Sequence, residues 1–251
     1  MEAAKKINLS RAKTRRGQIG PVGGRPPKDD RLVVAAIWYV LRTGCPWRDV
    51  PAYYGPWSSI YTRWRRWGAS GLWRRLLARL SRRAKGVLRH LDCSHIKLHQ
   101  HGANPPGGQL AQAIGRTKGG LNTKLAAVVD QHGRAVAVRL APGPQHDLLA
   151  VAPLRRCVRH HRVVAAKGFD ADAFREGLRA QHTSCCIPPR QGRLHPARFH
   201  RGYYSHRHHV ENFFGRIKKY RRISTRYDKL AVTFLAFVQF AAVLDWLTHR
   251  V

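Results

Sequence analysis

Near Gly86 the spacing of the apolar residues changes, and neither an all-helical nor an all-strand fold takes both halves. Upstream, hydrophobic side chains return at helical steps. Leu32, Ala35, Ala36, Tyr39 and Val40 follow a candidate cap at Asp29-Asp30, and Gly44-Cys45-Pro46 stops the run. Residues 47–55 read as a short helix and turn. Ser58 reads as the cap of a basic, aromatic helix through Trp67, closed by Gly68 and Gly71; Leu72, Leu76, Leu77 and Leu80 mark a fourth helix over 72–85. Downstream, 87–98 is a strand carrying Asp92 in its middle, which is costly among apolar neighbours unless the acid is paired or holds a cation. Residues 121–130 and 134–140 form a hairpin about Gln131-His132-Gly133. Asp147 caps a helix to Val158, and 162–166 is a buried strand. Gly168 and Asp170 lead into a helix to Gln181, and Pro188-Pro189 stops a strand over 183–187. A helix over 203–222 follows, then an apolar run over 229–247 at helical steps, read as a core helix or, alternatively, a dimer face. This order predicts an α/β sheet with helices on its faces.

Charge narrows the partner. The 251 residues hold 47 Lys+Arg against 13 Asp+Glu, a formal charge of +34, which favours a polyanion and salt-dependent binding. No uninterrupted apolar stretch approaches the ~18 residues of a membrane span, and the basic N-terminus leads into no apolar signal core; no membrane partner is expected. Five cysteines without metal-type spacing read as reduced thiols of a cytoplasmic protein. Residues 1–28 are a basic arm suited to phosphates or an ordinary loose terminus. The loop 99–120, with Arg116 and Lys118, is a surface loop near nucleic acid or a plain linker. Helix, turn and basic helix over 29–85 suit a helix-turn-helix reader or a plain helical bundle.

Glu211 is the only carboxylate between Glu176 and Asp228. On a helix, Tyr204, Arg207, Glu211 and Lys218 share one face. One acid, one phenol and two cations suit a divalent metal beside a phosphate backbone, although a merely solvated helix face has the same spacing. The run Tyr204-x2-Arg207-x3-Glu211-x6-Lys218 resembles, position for position, the signature around the last acid of bacterial insertion-sequence transposases of the DDE type. Gly24-Arg25-Pro26, the run from Leu41 to Arg48, Pro142-Gly143, His146-Asp147 and the run from Arg221 to Lys229 also resemble that family, so the likeness covers residues 24–248.

The resemblance implies a ribonuclease-H-like core, a mixed five-stranded sheet flanked by helices, with an N-terminal all-α helix-turn-helix-like DNA-binding domain. The expected division is 1–28 basic arm, 29–85 helical DNA-binding domain and 86–251 catalytic domain. Asp92 and Glu211 match the first and third metal acids. Ala165-Ala166-Lys167-Gly168-Phe169-Asp170 stands where the family has Ala-Asp-Lys-Gly-Tyr-Asp, so Ala166 occupies the second catalytic position. Asp170 and Asp172 lie past the strand end and read as caps of the next helix. An exchange of this kind arises by engineering or by decay of a natural copy. In the intact family three carboxylates hold two divalent ions, Mg2+ with Mn2+ as substitute, for in-line displacement at phosphorus.

By the same resemblance, Tyr204, Arg207 and Lys218 contact DNA near that site; Arg116 and Lys118 are expected to join them from their loop. Thr62, Arg63, Arg65 and Arg66 contact it in the N-terminal domain, while Trp64 and Trp67 are core. The implied partners are double-stranded DNA, as the element's terminal inverted repeats and the target, and further copies in a homodimer or larger oligomer. The implied place is the bacterial cytoplasm, at the nucleoid. Two functions fit: a transposase disabled at Ala166, or a non-catalytic DNA-binding regulator derived from one.

Overall fold

The computed structural model describes residues 29–248; the arm at 1–28, with Gly24-Arg25-Pro26, lies outside the described residues. Helix α1, Asp30–Thr43, starts where Asp29 accepts the Arg31 N–H and ends at Gly44 with φ 72°. Gly44 is doubly required, because a Cβ there would also stand 2.6 Å from Cγ of Arg221. Asp29→Ala is expected to cost about 1 kcal/mol, read as a lower urea midpoint; an unchanged midpoint would show that this cap contributes nothing.

Residues 47–54 form two 3-10 turns, Trp47–Asp49 and Ala52–Tyr54, rather than a short helix. Helix α2, Trp57–Ala69, starts after Pro56 and has no side-chain cap, so Ser58 is inside the helix and does not cap it. Proline supplies a fixed φ, and its missing N–H is no loss at a helix start. Helix α3, Leu72–Ser81, follows Ser70-Gly71, so the tight helix–helix turn falls between α2 and α3.

The N-terminal helices close their core against the C-terminal helix α9, Ala231–Thr248. Val33, Ile37, Leu41, Ile60, Trp64 and Trp73 pack with Phe234, Phe237 and Phe240. Ring centroids are 4.2 Å apart for Trp64 and Phe237 and 4.5 Å for Trp73 and Phe240. Sheet residues Leu125, Ala127 and Val129 join the same cluster. Contacts on several sides explain why α9 is apolar nearly all round. It is long and apolar enough to cross a membrane, yet 67% of it is buried within the fold.

Seven strands form one mixed sheet: β1 Leu88–Leu98, β2 Gly115–Thr117, β3 Gly120–Asp130, β4 Ala135–Pro142, β5 Arg162–Ala165, β6 Ser184–Cys186 and β7 Thr225–Arg226. β3 pairs antiparallel with β1, β2 and β4; β5 runs parallel to both β1 and β6; β7 pairs parallel with β1 at Lys97 and Leu98. The five expected strands are β1, β3, β4, β5 and β6. β2 lies in what the sequence presents as a loop, where Gly119-Gly120 lets 115–117 fold back onto β3. One sheet face meets α7, His208–Lys218, and α9. The other meets α4, Asp147–Val151, and α5, Asp172–Arg179. Three antiparallel strands, two parallel ones and helices on both faces make the ribonuclease-H-like arrangement.

Several local expectations give way. Asp147 does not cap a helix to Val158: the His146 ring accepts the Leu148 N–H, and Ala152–Val158 continues as 3-10 turns at Pro153. Asp170 is no cap either. It is 3% exposed and accepts from Arg175 Nε at 2.8 Å, Arg193 Nη1 at 2.9 Å and the Arg190 N–H at 2.8 Å. Arg175 of α5, together with Arg193 and the Arg190 amide from the folded-back 187–193 segment, takes both of its oxygens, and α5 begins at Asp172 with no side-chain cap. The helix expected over 203–222 is broken into α6, Arg201–Tyr204, a 3-10 turn Ser205–Arg207, then α7 and α8, Arg221–Ser224. All five cysteines are free thiols.

The run from Arg221 to Lys229 ties the end of α1 to the sheet. Buried Arg222 holds Asp228 with two hydrogen bonds and donates to the Cys45 carbonyl at 3.3 Å. Arg226, fully buried, donates to Thr123 Oγ1 at 2.6 Å and to the carbonyls of Asp228 and Lys229.

Candidate active site

Parallel pairing of β1 with β5 sets Leu91 opposite Ala165, so Asp92 and Ala166 lie side by side where β5 ends. Helix α7 packs against β1 from one face and brings Glu211 in. Between the two acids stands Arg207, at the end of the 3-10 turn that precedes α7. Its Nη1 donates to Asp92 Oδ2 at 3.2 Å, and its Nη2 donates to Glu211 Oε1. The Asp92 side chain is 19% exposed and that of Glu211 52% exposed, so one acid is recessed and the other rims the site.

Burial pushes the Asp92 carboxyl up; the Cys93 N–H and Arg207 pull it down, and the charges of Asp147 and Glu211 add to the push. Burial works against the charge on Arg207, but the hydrogen bond and charge of Glu211, with Asp92, raise its pKa. Lys218, about two turns further along the same face of α7, reaches back to β1 and donates to Ser94 Oγ at 2.6 Å and the His95 carbonyl at 3.1 Å. Its burial lowers its pKa.

Thus Asp92, Ala166, Arg207, Glu211 and Lys218 meet at the middle of β1, where β5 ends. Tyr204 stands beside Arg207 but packs edge-on against Phe199, with Leu88, Val164 and Cys186 around it. Arg116 and Lys118 do not join them. β2 pairs at Asn122, opposite Lys97, which is about 17 Å of strand from Asp92 at the usual rise. In α2, Thr62, Arg65 and Arg66 are exposed and line shallow grooves on either side of the helix. Arg63 is turned inward, pairing with Asp30 at 2.6 Å. Trp64 and Trp67 are buried.

Beside the acids lies a cavity of about 510 Å³ lined by Lys124, Asp147, Lys167 and Arg190, among others. Lys124 Nζ pairs with Asp147 at 2.6 Å. Sequence reasoning missed this basic wall. The available signal was a lysine inside the apolar run of β3.

As a metal centre the donor set is incomplete. Ala166 offers no oxygen, and among the described residues no three His, Cys, Asp or Glu side chains are arranged to hold an ion. The groups present do not fit a two-metal site.

Residues 8–77 match the family described as "Putative transposase of IS4/5 family", and residues 163–248 match the "Transposase DDE domain". A relative from Brucella ovis, "Putative transposase for insertion sequence element IS6501", is 32% identical over 138 residues, 51% of this chain and 99% of that protein. The chain belongs to the insertion-sequence transposases of the DDE type. An "Insertion element IS402 uncharacterized 16.2 kDa protein" from Burkholderia cepacia is 46% identical to the transposase over 56 residues, 21% of this chain and 37% of that one. Among solved structures, the "Crystal structure of the Mos1 Strand Transfer Complex" overlaps 91% of the transposase and 73% of that chain at 13% identity and TM-score 0.37. A pre-cleavage Mos1 transpososome overlaps 90% and 80% at 14% identity and TM-score 0.32. These are partial overlaps; the fold assignment of the transposase stands on its strand order and on the matched DDE domain.

Proposed function

We propose that this transposase binds the ends of its element as double-stranded DNA and, with Ala at position 166, cuts them at a small fraction of the rate an aspartate would allow. The observation that carries the reading is the register of β1 on β5, which sets Ala166 beside Asp92 with Glu211 on the overlying helix. An aspartate at 166 beside Asp92 and Glu211 would complete a set of hard oxygen ligands for Mg2+, with Mn2+ as a substitute; such ions would supply activation of the attacking oxygen and stabilisation of the leaving one. With one acid absent, this chain is left chiefly with binding.

The division of labour follows the charge. Residues 29–85 present α2, whose Thr62, Arg65 and Arg66 face solvent, as the DNA-reading surface, and 86–251 carry the acids, with 1–28 as a basic arm. Arg63 supports that helix through Asp30. Arg116 and Lys118 sit at the far sheet edge and serve DNA flanking the site. The chain acts as a homodimer or larger oligomer on paired ends and on target DNA, at the bacterial nucleoid.

Binding to an end fragment is expected to fall about 10³–10⁵-fold between ~50 and ~200 mM salt, the behaviour of a protein with six to ten phosphate contacts. Gel-shift titration checks it; an affinity that hardly moves over that range would remove the electrostatic basis of the reading. The second reading, a DNA-binding regulator derived from a transposase, is favoured by Ala166 alone. An aspartate codon at position 166 in the native element decides against it.

A further inference from the structure

We propose that Arg207 is a built-in cation standing in the place of a metal ion, so that divalent ions and this guanidinium compete for Asp92 and Glu211. The inference rests on those two residues being the metal acids of the proposed function. Three observations point to it. Nη1 and Nη2 of Arg207 each go to a different acid, one on β1 and one on α7, separated by 119 positions in sequence (211 − 92). The guanidinium therefore bridges the two elements as an ion between carboxylates would. Its position is fixed by backbone, since the 3-10 turn Ser205–Arg207 delivers it to the start of α7, four residues before Glu211.

The charge count is the third observation. With Ala166, two carboxylates face Arg207 and, at Ser94, Lys218, while the nearby Asp147 is already paired with Lys124, so the local sum is zero. An aspartate at 166 would leave the same cluster at −1. A divalent ion entering the present cluster finds no net negative charge and must first displace a guanidinium that donates to both acids. The same contacts keep Arg207 from reaching a phosphate while the acids hold it; the arginine is free for DNA only once another cation takes them.

The test needs no DNA. Mn2+ is titrated into the full chain and into Arg207→Gln, Arg207→Lys and the Asp92→Asn/Arg207→Gln double variant. Bound Mn2+ is read from the loss of the free-ion paramagnetic resonance signal, and thermal melts with Mn2+ or EDTA serve as a second readout. Arg207→Gln should bind one Mn2+ about tenfold or more tightly than the parent, because a positive charge next to the site is gone. That gain should vanish when Asp92→Asn is added. Arg207→Lys keeps a cation there and should stay as weak as the parent. The proposal is overturned if Arg207→Gln gains nothing, if the gain survives Asp92→Asn, or if Arg207→Lys already binds Mn2+ tightly. The last comparison stands even should Arg207→Gln fail to fold. Failure to bind element ends would sink the proposed function and leave this result untouched.

Discussion

Asp170→Ala is expected to cost about 3–5 kcal/mol, enough to unfold much of the protein under conditions where the parent is folded. Asp170 is enclosed, and its oxygens hold Arg175, Arg193 and the Arg190 amide. Arg175 is itself 3% exposed, donating also to the Ile187 carbonyl at 2.8 Å. Removing the carboxylate leaves a buried guanidinium uncompensated, which costs far more than a lost surface pair. Arg175→Met added to Asp170→Ala should return part of the loss, since the stranded charge goes too. Urea denaturation of the two variants measures both effects. A loss of only about 1 kcal/mol would mean that the carboxylate does no more than a helix cap.

The same cluster predicts acid sensitivity. Burial alone would raise the Asp170 pKa, but the Arg190 N–H and Arg175 outweigh it and hold the carboxyl below its ordinary value. A folded-state pKa below the unfolded one gives stability that is present above about pH 3.9 and is lost as pH falls through the depressed value. Asp170→Asn should therefore flatten the acid limb of a stability-against-pH curve.

The second large effect is a gain. Ala166→Asp should raise Mg2+- or Mn2+-dependent cleavage of a labelled end fragment by on the order of a hundredfold or more. Loss of groups that merely support a metal ligand already costs about 10–100-fold, and here a ligand itself is missing. Ala166→Asn should recover little, since it supplies an oxygen without the charge. Asp170 cannot take the part, being held by two arginines. If the parent cuts as fast as Ala166→Asp, position 166 is no ligand and the reading of β5 fails.

Much of the fold was legible because it rests on periodicity. Asp29 and Gly44 bracket α1 as read, the β3–β4 hairpin turns at 131–133, and α9 is a core helix. What was not legible depends on partners distant in sequence. Asp170 precedes a helix and so reads as a cap; nothing in its neighbourhood announces that Arg190 and Arg193 fold back over it. Ser58 looks like a cap, but Pro56 starts the helix two residues earlier. β2 is three residues long and visible only through β3. At the site, the chemical types and spacing of Tyr204, Arg207, Glu211 and Lys218 drew attention to the segment. Their attachments did not follow from spacing: the sequence implied two cations aimed at phosphate, and the structure has both donating to protein atoms on β1.

The shared core of α1, α2, α3 and α9 bears on how far apart two events on DNA can be. Trp64 and Trp73 are wedged against Phe237 and Phe240, and Arg222 pins the end of α1 to the chain just before α9. A helical unit joined through a slack tether could sample many offsets from the acids. This one is bolted to the sheet that carries them. On the proposed reading the protein is a ruler: the stretch of DNA between the bases gripped by α2 and the bond facing Asp92 has a length set by the packing. In the Ala166→Asp protein, inserting base pairs between them should abolish correct cutting without weakening the grip.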